Sequence, residues 1–590
     1  MTSNPLRERA ERWLADDFDE STRAELRILL DHAEARPDEL ADRFAGDLAF
    51  GTAGLRGELG AGPNRMNRAV AVRATFGLAE VLGAEVPDAR ERGIVIGGDA
   101  RRWSREMVED VAAVLGASGF QVLLFAEPVP TPVVAFAVRI RRAAAGVVLT
   151  ASHNPATYNG YKVYWENGAP ILPPVDAQIA SAMARAPAAR TLPRPARSEL
   201  LASGLLTVAG AEMAEAYFAA VAGLGLHPGA GDRQFRIVYT PMHGVGDRWA
   251  RRALADAGFT DVVSVPEQCE PDASFPTVVF PNPEEPGALD FALERARRVR
   301  AALVLANDPD ADRLAVAVRS GDDYRRLSGN EVGLLLGHYW MTESPRDRPL
   351  AVVTTVTSSP IFARMAAALG VRCDETLTGF KWLAHHSREL EAAGYRCLLA
   401  FEEAIGYAVG DVVYDKDGIS AAVAVAELVA VLAERGRTVF DELDRIGRRF
   451  GVSASSLVAI TRKGAVGAAA VRSMMERLRA APPEAVAGDS VASVADYLAG
   501  VRFKPNIGVV ERLALPASNV LSFELASGSR VVVRPSGTEP KVKIYFDALG
   551  SREGDVSVGR ARDNVGVFLK RLVTAFLALP VVAALGPRDE

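Results

Sequence analysis

The sequence predicts an α/β protein: three similar α/β/α domains with mixed sheets, then a C-terminal α+β domain, grouped around a central cleft. Three observations lead there. The first is length, since 590 residues are too many for one hydrophobic core and suggest roughly three to five domains. The second is alternation: apolar stretches of strand length follow segments of helical periodicity, the pattern of a layered α/β domain. The third is an echo. Val147-Val148-Leu149-Thr150, Leu303-Val304-Leu305-Ala306 and Leu398-Leu399-Ala400 each run into a polar loop that does not look like core. Ligands of α/β sheets bind beyond the carboxyl ends of strands, so three such domains can point three loops at one cleft.

Composition narrows the class. Hydrophobic residues are 49% and charged residues 24% of the chain, an ordinary globular balance that excludes wholesale disorder. A net charge of −6 provides no general footprint for nucleic acid. Cys269, Cys373 and Cys397 are far apart and form no CxxC pair, which suits reduced structural thiols of a cytosolic protein. The charged amino terminus lacks the apolar core of a signal peptide. The segment Leu572 to Leu585, interrupted by Pro580, is too short to span a bilayer. A soluble, cytoplasmic protein with no membrane partner is expected.

Four segments follow in order: 1–205, 206–327, 328–450 and 451–590. In the first, Leu6, Ala10, Trp13, Leu14 and Phe18 recur at helical spacing, predicting a helical lead-in packed on the first sheet. Phe50-Gly51-Thr52-Ala53-Gly54-Leu55-Arg56-Gly57 places Arg56 between glycines, as a phosphate fork or a solvated turn. Strands at Gly93–Ile96 and Gln121–Phe125 flank a helix over Glu106–Gly119, and Ala186 to Arg197 reads as an exposed connection. The second segment has strands at Phe235–Thr240, Asp261–Val265 and Ala302–Leu305, with an irregular proline-rich loop from Pro266 to Pro286. The third has a strand at Leu350–Thr355, the loop Leu377-Thr378-Gly379-Phe380-Lys381-Trp382, and an apolar helix over Ala421–Glu434. The fourth mixes a helix over Ala465–Ala480 with short alternating strands, an α+β unit.

The loops carry the chemistry. Thr150-Ala151-Ser152-His153-Asn154-Pro155 offers a hydroxyl and an imidazole at a strand end, as a nucleophile or as turn residues. In an extended loop neighbouring side chains diverge, so His153 is expected to be badly placed to deprotonate Ser152. Lys162, in what reads as a Gly-flanked loop, is the freer candidate for proton transfer. Asp308, Asp310 and Asp312 sit two residues apart, where an extended backbone turns all three to one side. Oxygen-only ligands suit Mg²⁺ before Zn²⁺. Arg313 at the sixth position and Arg319 at the twelfth exclude an EF-hand. Glu402 and Glu403 can accept hydrogen bonds from sugar hydroxyls or form a charged rim. Arg534-Pro535-Ser536-Gly537-Thr538 is a phosphate-gripping set or a plain turn. Together these parts specify phosphoryl transfer on a phosphorylated sugar. No nucleotide motif supplies the phosphoryl group, so the simplest donor is the enzyme itself, phosphorylated on Ser152.

These residues resemble the α-D-phosphohexomutases. Thr-Ala-Ser-His-Asn-Pro (150–155), Asp-Pro-Asp-Ala-Asp-Arg (308–313), Phe-Glu-Glu-Ala-Ile-Gly-Tyr (401–407) and Arg-Pro-Ser-Gly-Thr-Glu-Pro-Lys (534–541) appear in that family's order and span nearly the whole chain. The glycine-flanked Arg56, Thr-Gly-Phe-Lys-Trp and Asp-Lys-Asp-Gly are most similar to the long branch, with its phosphoglucomutases and phosphopentomutases. The resemblance implies a phosphoserine at Ser152 and Mg²⁺ held by Asp308, Asp310, Asp312 and a phosphoserine oxygen. It implies Arg56, His153 and Lys162 at the reacting end. Glu402, Thr378, Gly379, Arg313 and Lys416 are expected at the sugar, and Arg534, Ser536, Gly537 and Thr538 at the distal phosphate. The expected reaction interconverts sugar 1- and 6-phosphates of glucose or mannose, or pentose 1- and 5-phosphates. It runs through a sugar bisphosphate that also primes the enzyme, in a monomer or homodimer. Many members carry Ser two residues after the first glutamate, where this chain has Ala404, so the preferred sugar stays open. The alternatives are a Mg²⁺-dependent sugar phosphatase, which would leave Ser152 idle, and a non-catalytic sugar-phosphate sensor.

Overall fold

The computed structural model describes residues 5–51, 54–462, 464–505, 507–536, 541–550 and 557–586. They form two compact units. The first comprises Met1–Gly329, Gly379–Ala393 and Leu399–Arg435, and the second Asn330–Thr378, Gly394–Leu398 and Gly436–Glu590. Among the described residues no helix is long and apolar enough to cross a membrane.

The first unit is built on two mixed sheets. One has six strands in the order Leu55–Glu58, Tyr158–Trp165, Ala145–Leu149, Ile94–Gly98, Val122–Leu124, Leu206–Val208. The inner strand Ala145–Leu149 pairs in parallel with Ile94–Gly98 and antiparallel with Tyr158–Trp165. All five of its residues are buried, as expected of a strand covered on both faces, where apolar side chains run on without alternation. Helix Arg68–Glu85, capped by Asn67 accepting from the Val70 N–H at 2.9 Å, lies in the same core as the lead-in helices Pro5–Asp16 and Glu20–Asp31. The expected packing of that lead-in on the first sheet is therefore present.

The connection 186–197 is exposed or partly exposed over most of its length, as expected, but it is anchored: it makes a helical turn at Ala189–Thr191, and Ala189 and Leu192 lie in the core. The Arg194 guanidinium sits 3.7 Å from the centre of the Phe18 ring. Arginine stems cover apolar surface while the charged head stacks on an aromatic face, so an Arg-rich stretch need not be a free linker.

The second sheet has five strands in the order Asp323–Leu327, Ala315–Ser320, Leu303–Ala306, Ile237–Thr240, Val262–Ser264. Leu303–Ala306 is parallel to Ile237–Thr240 and antiparallel to Ala315–Ser320. The later pieces of this unit complete the walls of that sheet's carboxyl end. Leu399–Glu402 pairs antiparallel with Gly406–Val409. Leu314 N–H donates to Ile405 O at 3.0 Å, and Gly418 N–H to Ala311 O at 3.1 Å. A Cβ at Gly418 would lie 2.3 Å from Arg313 O, so only glycine lets helix Gly418–Glu434 start this close to the aspartate loop. Asp417 caps that helix through the Ile419 and Ser420 N–H groups, and its apolar sequence is buried nearly all round.

The second unit contains the parallel pair Leu350–Thr355 and Arg372–Thr376 and an eight-stranded antiparallel sheet running from Ser453–Thr461 to Gly508–Arg512. Helices Gly464–Ala480 and Val558–Leu577 share one apolar cluster with it, where Met474, Met475, Leu478, Leu572 and Phe576 meet Phe523 and Phe546. Buried Arg530 donates to Ser358 O and pairs with Glu375 and Asp547, tying the sheet to the parallel pair. None of the three cysteines is in a disulfide.

Candidate active site

The site in the first unit begins at the end of strand Ala145–Leu149. Ser152 has φ 54, a left-handed conformation that costs a non-glycine residue energy and persists only where its surroundings over-determine it. Here they do. The Ser152 N–H donates to Thr150 Oγ1 at 2.8 Å, and Thr150 Oγ1 donates to Asp99 Oδ2 at 2.6 Å. Arg101, buried at 4% exposure, spends its guanidinium on the loop backbone. It donates to Ser152 O at 2.5 Å, Asn154 O at 2.6 Å, Pro155 O at 2.8 Å and Tyr158 O at 3.2 Å. Its Nε lies 3.2 Å from Asp99 Oδ2, and its face is covered by the Phe275 ring at 4.9 Å.

That turn corrects one expectation. Ser152 Oγ and His153 Nδ1 are 3.3 Å apart, so the neighbours converge. The divergence rule applies to an extended backbone, and the positive φ at Ser152 breaks it. The same Oγ donates to Asp308 Oδ2 at 2.7 Å.

The three aspartates do converge: one ligand oxygen from each lies within 4.8 Å of the others. The cause differs from the expected extended run. Ala311 N–H donates to Asp308 O at 2.8 Å and Ala311 has φ 56, so a tight turn gathers them. Asp310 is held by Thr131, whose N–H donates to Asp310 O at 3.0 Å and whose Oγ1 donates to Asp310 Oδ2 at 2.6 Å. Arg313 N–H donates to Asp308 Oδ1 at 3.0 Å.

Lys162 is on strand Tyr158–Trp165, not in a loop. Its Nζ lies 2.6 Å from Asp310 Oδ2 and 2.8 Å from Asp312 Oδ2. Burial works to lower its pKa, but Asp310 and Asp312 outweigh that and raise it, so the ammonium is a held cation and a donor. Lys416 Nζ lies 3.4 Å from Asp312 Oδ2 and 3.3 Å from Asp415 Oδ1, and Asp415 in turn accepts from the buried Tyr164 hydroxyl at 2.7 Å. Burial raises Asp312 as well, yet Lys162, Lys416 and Arg313 hold it well below the usual carboxylate range. Asp308 is pushed up to about 8, by burial first and then by Asp312 and Asp310.

The donor set fits a hard divalent cation. Asp310 Oδ1 and Asp312 Oδ1 are buried without a hydrogen-bond partner, which is costly unless something positive meets them. All ligands are carboxylate oxygens, and six oxygens about 2.1 Å from one Mg²⁺ would stand about 3–4 Å from one another, compatible with the spread seen here.

The remaining expected residues fall as follows. Arg56 is on strand Leu55–Glu58 and donates to Asn154 Oδ1 at 3.1 Å. Burial lowers its pKa, opposed by the nearby Asp310 and Asp312. Arg313 Nη1 is 3.8 Å from Glu284. Glu402 ends its strand half-buried, with its pKa raised by desolvation against the pull of Lys416. Gly379, at φ 107, precedes helix Phe380–Ala392, and Lys416 Nζ stands 5.3 Å from the centre of the Phe380 ring. Thr378 belongs to the second unit, as do Arg534 on strand Arg530–Pro535 and Ser536, whose N–H donates to Lys541 O at 2.7 Å. Gly537 and Thr538 lie outside the described residues. Asp99, Arg101, Thr131 and Tyr164 had no assigned part in the sequence. Only the strand-end run Gly97-Gly98-Asp99-Ala100-Arg101 marked two of them.

A hydroxyl beside three converging buried carboxylates, on two mixed α/β sheets, is an arrangement suited to phosphoryl transfer. The comparisons refine this. Four segments match the phosphoglucomutase/phosphomannomutase family: residues 47–190 its alpha/beta/alpha domain I, 215–321 domain II, 328–449 domain III and 484–554 its C-terminal domain. A Schizosaccharomyces pombe protein named "Probable phosphoribomutase" is 36% identical over 562 residues, covering 92% of this chain and 94% of its own. A Homo sapiens protein named "Phosphopentomutase" is 35% identical over 564 residues, covering 91% and 90%. A crystal structure of a phosphoglucomutase/phosphomannomutase family protein from Burkholderia thailandensis shares the fold, with a TM-score of 0.66 at 20% identity over 92% of this chain and 98% of that one. The chain belongs to the phosphoglucomutase/phosphomannomutase family. It is an enzyme of the phosphosugar mutase class.

Proposed function

We propose that this enzyme moves a phosphoryl group between the 1-position and the terminal hydroxymethyl position of a sugar, through phosphoserine at Ser152 and a sugar bisphosphate. The observation that supports this best is the position of Ser152 Oγ, 2.7 Å from Asp308 Oδ2 and 3.3 Å from His153 Nδ1, on a turn held by Thr150 and Arg101. In the forward half-reaction a sugar hydroxyl oxygen attacks the phosphorus of phosphoserine. The P–Oγ bond breaks, and the proton lost by the sugar hydroxyl is balanced by one gained at Oγ. His153 Nδ1, 3.3 Å from Oγ, is the group we assign to exchange that proton, and protonated Lys162, held by Asp310 and Asp312, is assigned to add positive charge to the site. The bisphosphate then turns end for end, and its other phosphoryl group returns to Oγ.

Asp308, Asp310 and Asp312 are the residues we assign to Mg²⁺, which when bound would withdraw charge from the phosphoryl oxygens. Arg56 is assigned to the reacting phosphate. Arg313, Lys416 and Glu402 are assigned to the sugar, with Thr378 and Gly379. Arg534, Ser536, Gly537 and Thr538 are assigned to the distal phosphate on their chemistry and order in the chain. The family name covers glucose and mannose phosphates, and two relatives are named for pentose phosphates, which supports including both in the proposed substrate range; we put pentose 1-phosphates first.

The test is a panel of ribose, deoxyribose, glucose and mannose 1-phosphates, each with Mg²⁺ and a trace of sugar bisphosphate. An isomerised monophosphate is expected, formed faster from the pentoses. Free phosphate as sole product would establish a phosphatase instead.

A further inference from the structure

The proline-rich stretch between Pro266 and Pro286 has no helix or strand, and structureless loops of that length in a compact domain are uncommon and usually functional. This one is firmly pinned. At its start, Gln268 is fully buried, accepts from Thr240 Oγ1 at 2.7 Å, and donates to Thr277 Oγ1 at 2.8 Å. His243 Nε2 is 2.8 Å from the same Thr277 hydroxyl. At its end, Asn282 is buried and Glu284 reaches Arg313. Between those anchors the segment meets the serine loop at His153 and the arginine that holds that loop. Phe275, buried and held at φ 46, covers the face of Arg101. Phe280 sets its ring 6.1 Å from that of His153. Beside it, Val279 is 96% exposed.

The Phe280 ring, tilted 51° to the imidazole of the histidine that follows Ser152, brings apolar bulk to that side of the loop and no donor or acceptor to phosphoryl transfer. We propose that Phe280 is a specificity-determining residue that directs the phosphoryl group of phosphoserine to a sugar hydroxyl and away from water. This rests on the phosphoserine reading above. The two fates differ only in the attacking oxygen. If a sugar hydroxyl attacks the phosphorus, the P–Oγ bond breaks and a sugar bisphosphate leaves. If water attacks, the same bond breaks, the serine hydroxyl is regenerated and inorganic phosphate leaves. Water is small and abundant, so a mutase must exclude it from the phosphoserine, and a ring packed on His153 does so without competing for the phosphate.

The experiment uses the full chain and the series Phe280→Leu, Phe280→Ala and Phe280→Ser at this partly buried position. Each variant is charged with glucose 1,6-bisphosphate and Mg²⁺. Inorganic phosphate release and mutase turnover are measured on the same sample, and their ratio is the readout. The ratio is expected to stay within about twofold of the parent for leucine, which keeps the apolar bulk, and to rise about tenfold or more for alanine and serine. A lower mutase rate with an unchanged ratio would make Phe280 merely structural and overturn the inference. If the parent itself never carries phosphate on Ser152, both this inference and the phosphoserine reading fall.

Discussion

Arg101 donates to the carbonyl of Ser152 at 2.5 Å while its Nε faces Asp99 at 3.2 Å, so one buried guanidinium fixes both the turn and the residue at its apex. Lysine carries the charge but has a single ammonium in place of the planar fork. It cannot reach four carbonyls at once. Arg101→Lys is expected to lower kcat about a hundredfold with KM little changed, because a displacement of about 1 Å at the nucleophile costs that much. Steady-state kinetics on the preferred 1-phosphate check this. Parent-like kcat would show that the turn holds without the fork.

Thr131 contacts Asp310 through both its N–H and its hydroxyl. With Asp310 as a Mg²⁺ ligand, as proposed, a residue that orients it typically contributes 10–100-fold to metal affinity or activity. Thr131→Val keeps the shape and removes the hydroxyl. The expected result is a Mg²⁺ half-saturation raised by about ten- to a hundredfold, with maximal rate recovered at high Mg²⁺. A Mg²⁺ titration of activity measures it.

A third expectation concerns the second unit. The buried Glu442 carboxylate accepts from Arg437 at 2.7 Å and Arg445 at 3.1 Å, and lies 2.9 Å from His338 Nδ1. Burial alone would raise its pKa, but the hydrogen bonds from His338 and Arg437 outweigh it and leave it lowered. A carboxyl whose folded pKa is depressed adds stability above its unfolded value, near 4.3, and loses it as pH falls through the folded pKa. Glu442→Gln is thus expected to destabilise the protein by about 1 kcal/mol at pH 7, a figure reduced for the water around Arg437 and Arg445. The deficit should shrink toward zero as the pH drops below about 4. Thermal unfolding of both proteins across pH 3–8 checks the trend. A constant deficit would refute it.

The fold class and the two richest loops were legible because their chemistry is local. Apolar runs such as Ala145–Leu149 announce buried strands, and serine or aspartates at their ends stand out against core residues. What the sequence hides is placement that depends on distant partners. Thr131 serves Asp310 from 179 positions away, and nothing in its own neighbourhood marks it. Arg101 looks like any surface arginine until the serine loop folds over it. The Ser152–His153 contact is hidden for a related reason: a backbone angle imposed by tertiary bonds, not by the residue itself, decides where two neighbouring side chains point. Lys162 read as loop because Gly160 precedes it, yet strand pairing with Leu55–Glu58 accepts that glycine and aims the lysine at the aspartates.

The central claim is that Ser152 carries the phosphoryl group. Phosphopeptide mass spectrometry of the full chain after incubation with Mg²⁺ and a sugar bisphosphate tests it most directly, with Ser152→Ala alongside. The account predicts phosphate on the peptide containing Ser152 in a sizeable fraction of molecules, its absence from the alanine variant, and a mutase rate in that variant reduced about a thousandfold or more. Unphosphorylated Ser152 in an enzyme that still isomerises sugar phosphates would contradict it.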